Sequence, residues 1–360
     1  MLIHEIIFMI ITTILRLRTS HANSTNETIN NASMFPAILV FGDSTIDTGN
    51  NNYINTIIRA NFPPYGCNFP GRNATGRFSN GKLIPDFIAS LMGIKDTVPP
   101  FLDPHLSDSD ILTGVCFASA GSGYDNYTDL ATLSLSVAKQ ADMLRSYLAR
   151  LNRIAGEEKA ATILSEALVI VSSGTNDFDI NLYDTPSPRV KLGVNGYQNF
   201  ILSGVKNFVQ ELYDIGCRKI MVLGLPPIGC LPIQMTMDRQ KQSERRCIDK
   251  QNSDSKRYNK KLKKSLTVIQ SNLSGSVIFY ADIYGAILDM ATNPQRYGIK
   301  ETTRGCCGTG EMELSYLCNP LTPTCPDPNH FLFWDDIHPT QLAYLVVSLS
   351  LVDQIIHVLH

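Results

Sequence analysis

The sequence lacks an excess of charge of either sign. It has 31 Lys and Arg residues against 33 Asp and Glu residues, which gives a net charge of −2 over 360 residues. Basic residues do cluster at 239–264, but acidic residues are interleaved with them, which is typical of a solvated helix face. This balance excludes the basic footprint of a nucleic-acid-binding protein, and we predict no nucleic-acid partner.

Beyond residue 22 we find no apolar run of the ~20 residues that a membrane-spanning helix needs, and we predict no transmembrane segment in the mature chain. The apolar run 6–15 is itself too short to span a bilayer. Ser20-His21-Ala22 then places small residues at the two positions that a signal peptidase reads. We therefore predict a signal peptide at residues 1–22 and secretion. The charges around the run are in an unusual order, and an uncleaved anchor is the alternative.

The sequence also lacks the paired cysteine spacing of structural zinc sites, in which two to four residues separate the ligands. Cys306, Cys307, Cys318, Cys325 and His330 are close in sequence, but an adjacent pair followed by gaps of eleven and seven does not match. Disulfide bonds are the favoured interpretation, and we predict no metal or cofactor. The total of nine cysteines is odd, so at least one has no partner within the chain.

Six Asn-x-Ser/Thr sequons agree with an oxidising, secretory compartment. Three of them crowd a polar tail at residues 23–33, and N-glycans are also predicted at Asn73, Asn126 and Asn272. Residues 34–360 are predicted to form a single domain, because no repeat, low-complexity block or linker divides them.

Five short runs of apolar, largely β-branched residues predict strands. Their apolarity is nearly continuous rather than alternating, which is typical of strands buried on both faces of a parallel sheet. The runs are 37–41, 114–118, 167–171, 219–223 and 276–280.

Segments between these runs carry apolar residues at spacings of three and four, which predicts helices. Alternating strands and helices indicate an α/β fold with a parallel sheet covered on both faces, where ligands bind beyond the carboxyl ends of the strands. The Cys-, Gly- and Pro-rich stretch 301–330 is interpreted as a long loop pinned by disulfides. The predicted helices are 83–92, 137–154, 194–215, 253–273 and 341–358.

Two stretches near opposite ends of the chain supply a hydroxyl, an imidazole and a carboxylate. Ser44 ends the first predicted strand at a Gly-Asp-Ser turn, and Asp335 precedes His338 by three residues. These are the parts of a nucleophilic hydrolase, in which serine attacks, histidine takes its proton and the acid orients the ring. Pro339 is predicted to open the last helix and to place the imidazole at its positive end. A simple turn and a helix cap are the structural alternatives for the two stretches.

Two further segments follow predicted strands and offer hydrogen-bond donors. The Asn176 side chain can donate to a tetrahedral intermediate, although an Asx-turn or a helix cap is an equal interpretation. The stretch 118–123 contains glycines, which permit a substrate oxygen to approach the backbone closely.

Seven stretches, taken in order, resemble the plant GDSL esterase/lipase family of the SGNH hydrolase superfamily. Together they cover essentially the whole mature chain. The resemblance implies a flavodoxin-like three-layer α/β/α sandwich with a central parallel sheet. The stretches are 41–52 (FGDSTIDTGNNN), 75–81 (TGRFSNG), 114–121 (GVCFASAG), 174–177 (GTND), 225–232 (LPPIGCLP), 306–310 (CCGTG) and 333–340 (FWDDIHPT).

The same resemblance implies roles for individual residues. Ser44 would be the nucleophile, His338 the base and Asp335 its orienting acid. The backbone N–H groups of Ser44 and Gly121 and the Asn176 side chain would form the oxyanion hole.

The sequence departs from the family pattern at three cysteines. Cys116 stands where the family usually has Asn, so a supporting hydrogen bond is expected to be missing, and we predict a buried free thiol there. Cys67 and Cys217 also lie outside the family's usual cysteines, and their pairing is left open.

The resulting hypothesis is a secreted, glycosylated serine esterase or lipase of the plant apoplast or cell wall. Its substrate would be a small-molecule, lipid or polyester ester, with short and medium acyl chains preferred by analogy with the superfamily. A transacylase, in which an alcohol replaces water, is the first alternative. A non-catalytic binding protein on the same fold is the second.

Overall fold

The computed structural model describes residues 33–184, 187–238 and 245–359. The predicted signal peptide and all but the last residue of the polar tail, including the asparagines of its three sequons, lie outside these residues. The other three predicted glycan acceptors are described, and Asn73, Asn126 and Asn272 are all exposed.

A four-stranded parallel sheet forms the centre of the domain, in the spatial order β1-β2-β3-β4. Four of the five predicted strands are confirmed to within one residue, and their register aligns Val40 with Ile170 and Ile170 with Met221. Every residue of β1, β2 and β3 is buried except Lys219, the first residue of β3, as continuous apolarity predicts. The strands are β1 (Ile38–Gly42), β2 (Leu168–Ser172), β3 (Lys219–Leu223) and β4 (Val277–Ala281).

The prediction of a regular strand at 114–118 is wrong. This segment lies along the outer edge of β1 through one parallel bridge, between Val40 and Cys116. On its other side Cys116 pairs with Pro100, so the bridges of this segment are confined to one residue. Gly114, just before it, packs directly against the backbone of Ile38. When the five segments are numbered along the chain, with 114–118 as the second, their order across the sheet is 2-1-3-4-5, as in flavodoxin. The switch point of this order lies between the first and third segments, which are β1 and β2.

Helices cover the sheet as two groups, which completes a three-layer α/β/α sandwich. One group contains α1, α10 and α11, and the other contains α4, α5, α7 and α9. All five predicted helices are confirmed, with ends within four residues of those expected. In the described residues the helices are α1 (Ile84–Leu91), α2 (Asp108–Thr113), α3 (Asn126–Thr132), α4 (Val137–Ala155), α5 (Glu157–Glu166), α6 (Thr175–Phe178), α7 (Gly193–Ile215), α8 (Pro232–Met237), α9 (Asp249–Asn272), α10 (Tyr284–Thr292) and α11 (Gln341–Leu359).

By length and composition α11 could cross a membrane, with a mean hydropathy of 1.9, so the expectation that no such segment follows residue 22 is wrong as stated. One face of this helix, which includes Val347, Leu351 and Ile355, is buried in the main hydrophobic core. The helix also packs against α1, α10 and β4. The apolar side chains of α11 therefore contribute to the hydrophobic core of the domain.

The stretch 301–330 is more ordered than the predicted loop. It begins with β5 (Glu301–Gly305), which pairs with β6 (Phe331–Phe333) in a second, two-stranded parallel sheet. Disulfides join Cys306 to Cys325 and Cys307 to Cys318 between these strands. All four cysteines are therefore committed to disulfides rather than to a zinc ion. A third disulfide joins Cys230 to Cys247.

Candidate active site

Ser44 lies just beyond the carboxyl end of β1, at the switch point of the sheet. Gly42 precedes it with a φ of 144°, and a Cβ there would lie 1.7 Å from the carbonyl oxygen of Ser172 on β2. Only glycine permits this close approach of the two strands. The chain then turns back on itself, with the Asp47 N–H donating to the Asp43 carbonyl at 2.9 Å.

Ser44, His338 and Asp335 form one continuous hydrogen-bonded row. The Ser44 Oγ lies 2.8 Å from His338 Nε2, and His338 Nδ1 lies 2.9 Å from Asp335 Oδ1 and 2.8 Å from Oδ2. The three residues are at most 6% exposed. Residues 294 positions apart in sequence are thus brought into direct contact, in the order that the sequence analysis predicts.

The Asp335 carboxylate is held by more than the imidazole. Its Oδ1 accepts the backbone N–H groups of Ile337 and His338, at 3.0 and 2.7 Å. Its Oδ2 accepts the Tyr65 hydroxyl at 2.9 Å. Three donors besides the ring thus hold the carboxylate in place beside His338.

The prediction that Pro339 opens the last helix is wrong. Helix α11 begins at Gln341, and Pro339 instead forms an antiparallel bridge with Phe333. The Trp334 N–H donates to the His338 carbonyl at 2.7 Å, which closes a tight loop around the imidazole. The position of the ring is therefore set by this loop rather than by a helix terminus.

The three predicted oxyanion donors lie on neighbouring segments at the same edge of the sheet. Gly121 has a φ of 88°, and a Cβ there would lie 2.7 Å from Thr132. Asn176, in the short helix α6 after β2, donates from Nδ2 to the carbonyl of Ser122 at 3.0 Å. This bond fixes the amide beside the Gly121 segment and uses one of its two N–H groups, so the second can donate to another acceptor. In the part of the chain that the structure describes, the backbone N–H groups of Ser44 and Gly121 donate to no protein acceptor.

A family model for GDSL-like lipases and acylhydrolases matches residues 38–351 of the chain. The chain belongs to this family. It is 81% identical over 359 residues to a protein named GDSL esterase/lipase At1g06990 from Arabidopsis thaliana, with 100% of both chains covered. It is also 53% identical to GDSL esterase/lipase At2g24560 from the same plant, over 86% of each chain. A third relative, GDSL esterase/lipase At2g31550, is 51% identical over 94% of this chain and 93% of its own length.

The predicted family and enzyme class are thereby confirmed, and this GDSL hydrolase acts on carboxylic esters. Neither the family model nor the relatives assign a role to any individual side chain, so the catalytic and oxyanion roles stay predictions.

Polar residues that sequence reasoning left without a role hold the segments of the GDSL site together. Asp47 accepts the Ala120 N–H at 3.0 Å, and Asn50 donates to the carbonyls of Cys116 and Ala118 at 2.9 and 2.8 Å. Both residues lie in the family stretch 41–52, which is the signal that marks them. They tie the Gly121 segment to the turn that carries Ser44.

Asp177 performs a similar task on the other side. Its carboxylate accepts the backbone N–H groups of Tyr124 and Asp125, at 2.9 and 3.1 Å, and the Thr128 hydroxyl at 2.6 Å. Burial raises the pKa of Asp177 to about 7, although these hydrogen bonds act to lower it. Since Asn176 is the preceding residue, Asp177 fixes the predicted oxyanion donor relative to the Gly121 segment.

The family stretch 75–81 supports the imidazole from outside the sheet. Arg77 is 4% exposed and forms a bidentate ion pair with Asp86, with both N–O distances at 2.8 Å. The Phe78 ring lies 4.9 Å from the His338 ring, centroid to centroid. Asn80 Oδ1 accepts the first N–H of α11, from Gln341, at 2.8 Å. The family stretch 75–81 therefore has a structural role, which is to support the His338 ring and the start of α11.

Buried acids lie near Ser44. Burial raises the pKa of Asp43 to about 6, although the Thr45 hydroxyl and N–H donate to it. Burial also raises the pKa of Asp179 well above its usual value, and the neighbouring Asp184 carboxylate adds to the effect. These groups make the charge at this edge of the sheet dependent on pH.

The three remaining cysteines are free thiols, and Cys116 is buried as predicted. Its Sγ lies 3.2 Å from the carbonyl of Ile46, a hydrogen bond that the thiol donates. Burial raises the pKa of Cys116 and of Cys217 to about 12, so both are inert as nucleophiles. Within the described ranges, no group of three or more His, Cys, Asp or Glu side chains is placed to hold a metal ion.

Proposed function

We propose that this GDSL hydrolase cleaves carboxylic esters through a Ser44–His338–Asp335 triad and an acyl-enzyme intermediate. The observation that carries the proposal is the buried row of hydrogen bonds in which one imidazole contacts the Ser44 hydroxyl at 2.8 Å and the Asp335 carboxylate at 2.8 Å. A simple turn or a helix cap would not require one imidazole to bond to a hydroxyl through Nε2 and to a carboxylate through Nδ1.

In the proposed reaction, Ser44 Oγ attacks the ester carbonyl while His338 Nε2 takes its proton. Asp335 accepts the Nδ1–H, which fixes the tautomer and stabilises the imidazolium. His338 then protonates the leaving alcohol, and the acyl group stays on Ser44. A water molecule, deprotonated by the same imidazole, releases the acid and restores the serine.

The negative oxygen of each tetrahedral intermediate would be stabilised by the Ser44 and Gly121 backbone N–H groups and by the second Nδ2 hydrogen of Asn176. The support for this part is that both N–H groups lack a protein acceptor among the described residues, while the Asn176 amide is held in place by Ser122. Donors that are already oriented stabilise developing charge without reorganising.

We further propose that the protein is secreted and glycosylated. Three disulfides in the described chain are typical of an oxidising compartment, and the acceptors Asn73, Asn126 and Asn272 are exposed. Treatment of protein secreted from a plant host with a peptide N-glycosidase should lower its apparent mass. An unchanged mass would contradict the glycosylation part of the proposal.

The test of the catalytic proposal is the pair of variants Ser44→Ala and His338→Ala, assayed on p-nitrophenyl acetate and butyrate. Each should lower kcat by at least ~10³-fold, because the nucleophile and its base act as one unit. Thermal unfolding should change little.

The matched control is Ser348→Ala, which removes a buried hydroxyl whose one bond among the described residues is to the Tyr344 carbonyl in the same helix, at 2.7 Å. It should leave kcat within about twofold of wild type. Turnover retained by purified Ser44→Ala protein would refute the proposal.

A further inference from the structure

We propose that Tyr65 is a positioning residue for the reaction, and that its hydroxyl holds the Asp335 carboxylate in line with the His338 ring. This inference rests on the triad proposed above. Tyr65 lies outside every family stretch that the sequence analysis quotes, and it is 270 positions from Asp335 in sequence.

The Tyr65 hydroxyl bridges two parts of the molecule. It donates to Asp335 Oδ2 at 2.9 Å and accepts the Ser315 backbone N–H at 2.9 Å. Tyr65 is 1% exposed, Ser315 is 4% exposed and Asp335 is fully buried. The hydrogen-bonded row that begins at Ser44 therefore continues beyond the carboxylate, through the phenol, to the backbone.

The Tyr65 bond differs from the other bonds that Asp335 accepts. The donors from Ile337 and His338 belong to the same tight loop as the carboxylate and move with it. Among the described residues, the Tyr65 hydroxyl is the only donor to Asp335 that comes from another part of the chain. It is therefore the bond that fixes the carboxylate relative to the rest of the domain.

Aromatic neighbours leave the Tyr65 ring little freedom. It makes edge-to-face contacts with Phe78 and Trp334, at centroid distances of 5.7 and 6.2 Å, and with Phe62 at 5.9 Å. Phe78 also packs against the His338 ring. One aromatic cluster thus orients both the phenol and the imidazole.

The Ser315 end of the bridge carries an unusual backbone conformation. Ser315 has a φ of 50°, in the left-handed region that residues other than glycine seldom adopt. It is held there by its own Oγ, which donates to the Arg59 carbonyl at 2.7 Å and accepts the Arg59 N–H at 3.0 Å. The Cys307–Cys318 disulfide closes the segment around it. Such local strain is typical of a backbone group that must point in one direction.

The hydroxyl also keeps its proton over the working range of the enzyme. Burial, with the Asp335 carboxylate beside it, raises the pKa of Tyr65 well above its usual value. Tyr65 therefore acts as a permanent donor to Asp335 and takes no part in proton transfer.

The test uses Tyr65→Phe, which removes one oxygen and keeps the ring. We expect kcat to fall about 10- to 100-fold, the scale of one hydrogen bond to a charged group. KM should stay within about twofold, because Tyr65 is only 1% exposed. We also expect the acid limb of the kcat/KM pH profile to move to higher pH, since a carboxylate with one donor fewer makes the neighbouring imidazole more basic.

The matched control is Tyr147→Phe, another buried tyrosine, whose hydroxyl donates to the Ile111 carbonyl at 2.6 Å. It should change neither kcat nor the pH profile. The chain's one tryptophan, Trp334, packs against Tyr65, so its fluorescence checks that each assayed variant is folded around the site. An unchanged kcat and pH profile in Tyr65→Phe would overturn the inference. So would a variant that does not fold at 10 °C, because the hydroxyl would then serve the fold rather than the carboxylate.

A second arm combines Tyr65→Phe with Asp335→Ala. If the phenol acts through the carboxylate, its loss should lower kcat by less than about threefold in the Asp335→Ala background. A full additional loss in the double variant would contradict the inference. Ser44→Ala separates the two proposals: if it retains turnover the triad fails, whereas a dead Ser44→Ala with a fully active Tyr65→Phe refutes only the role of Tyr65.

Discussion

The two halves of the site are held by different physical means. Ser44 follows β1, a strand with no exposed residue, and is fixed by the parallel sheet and its apolar core. His338 and Asp335 follow β6, a three-residue strand of the small sheet, and are fixed by short polar bonds and by disulfides on the preceding segment. We conclude that changes inside the central sheet should mainly affect stability, whereas changes at its polar edge and around the small sheet should mainly affect turnover.

The largest effect that sharpens this contrast is expected from Asn176→Ala, at the polar edge of the central sheet. Removing this proposed oxyanion donor should lower kcat by ~10²–10³ with little change in KM. The measurement is steady-state kinetics on p-nitrophenyl butyrate. Gln198→Ala is the control, because that buried side chain donates to the Asp254 carbonyl on α9, at 3.0 Å. If both variants had equal kcat values, Asn176 would have no place in the oxyanion hole.

The second prediction concerns Asp43, a buried acid at the junction of the apolar sheet and the polar edge. Burial raises the pKa of its carboxyl from 3.8 in the unfolded chain to about 6 in the folded protein. Between these values the folded state binds more protons, so the free energy of unfolding falls as pH rises, by about 2–3 kcal/mol. Above pH 6 the contribution is constant.

Asp43→Asn should remove this part of the pH dependence, because the amide does not ionise. Urea unfolding of both proteins at pH 4.5 and 7, followed by Trp334 fluorescence, provides the comparison. Equal pH dependence in wild type and variant would show that Asp43 is ionised in the folded state throughout this range.

The third prediction tests the disulfide-pinned half. Cys307→Ser combined with Cys318→Ser frees the segment that carries Ser315 and should lower kcat about tenfold, as the carboxylate loses part of its support. The far-UV circular dichroism of the sandwich should be retained. Cys217→Ala, which alters a buried thiol in the main core, should lower stability and leave kcat unchanged. Equal effects of the two variants on kcat and on stability would contradict the contrast between the two halves of the site.

The smallest effect is expected in the centre of the sheet. Ile220 is fully buried on β3, paired with Val169 and Ile278. Ile220→Val should lower the free energy of unfolding by about 1 kcal/mol through the lost methylene. It should leave kcat within about twofold, because the strand meets the site only through its end. A loss of turnover larger than the loss of stability would show that the sheet and the site are coupled.

The sequence predicted the sheet well because its strands are short and continuously apolar. The long helices were equally clear, since several turns display their period. Short helices such as α2 and α6, of six and four residues, offer too few turns for the pattern to appear. The edge segment at 114–118 does not form a regular strand because its bridges are confined to Cys116, and local apolarity does not show how far the pairing of a strand extends.

The site could be predicted where chemistry is concentrated in short stretches. Ser44, Asn176, Asp335 and His338 stood out because their residue types match a known reaction. Tyr65 could not be found in this way, because nothing in its spacing links it to a carboxylate 270 residues later. Its role depends on folding, which brings an aromatic cluster and a disulfide-closed segment to the same point.

The most direct test of the central claim is to label the enzyme with a fluorophosphonate and map the adduct by mass spectrometry. Our account predicts one adduct per chain, on the peptide that contains Ser44, formed much more slowly in His338→Ala. An adduct on any other residue of the active protein, or loss of activity with Ser44 unlabelled, would contradict it.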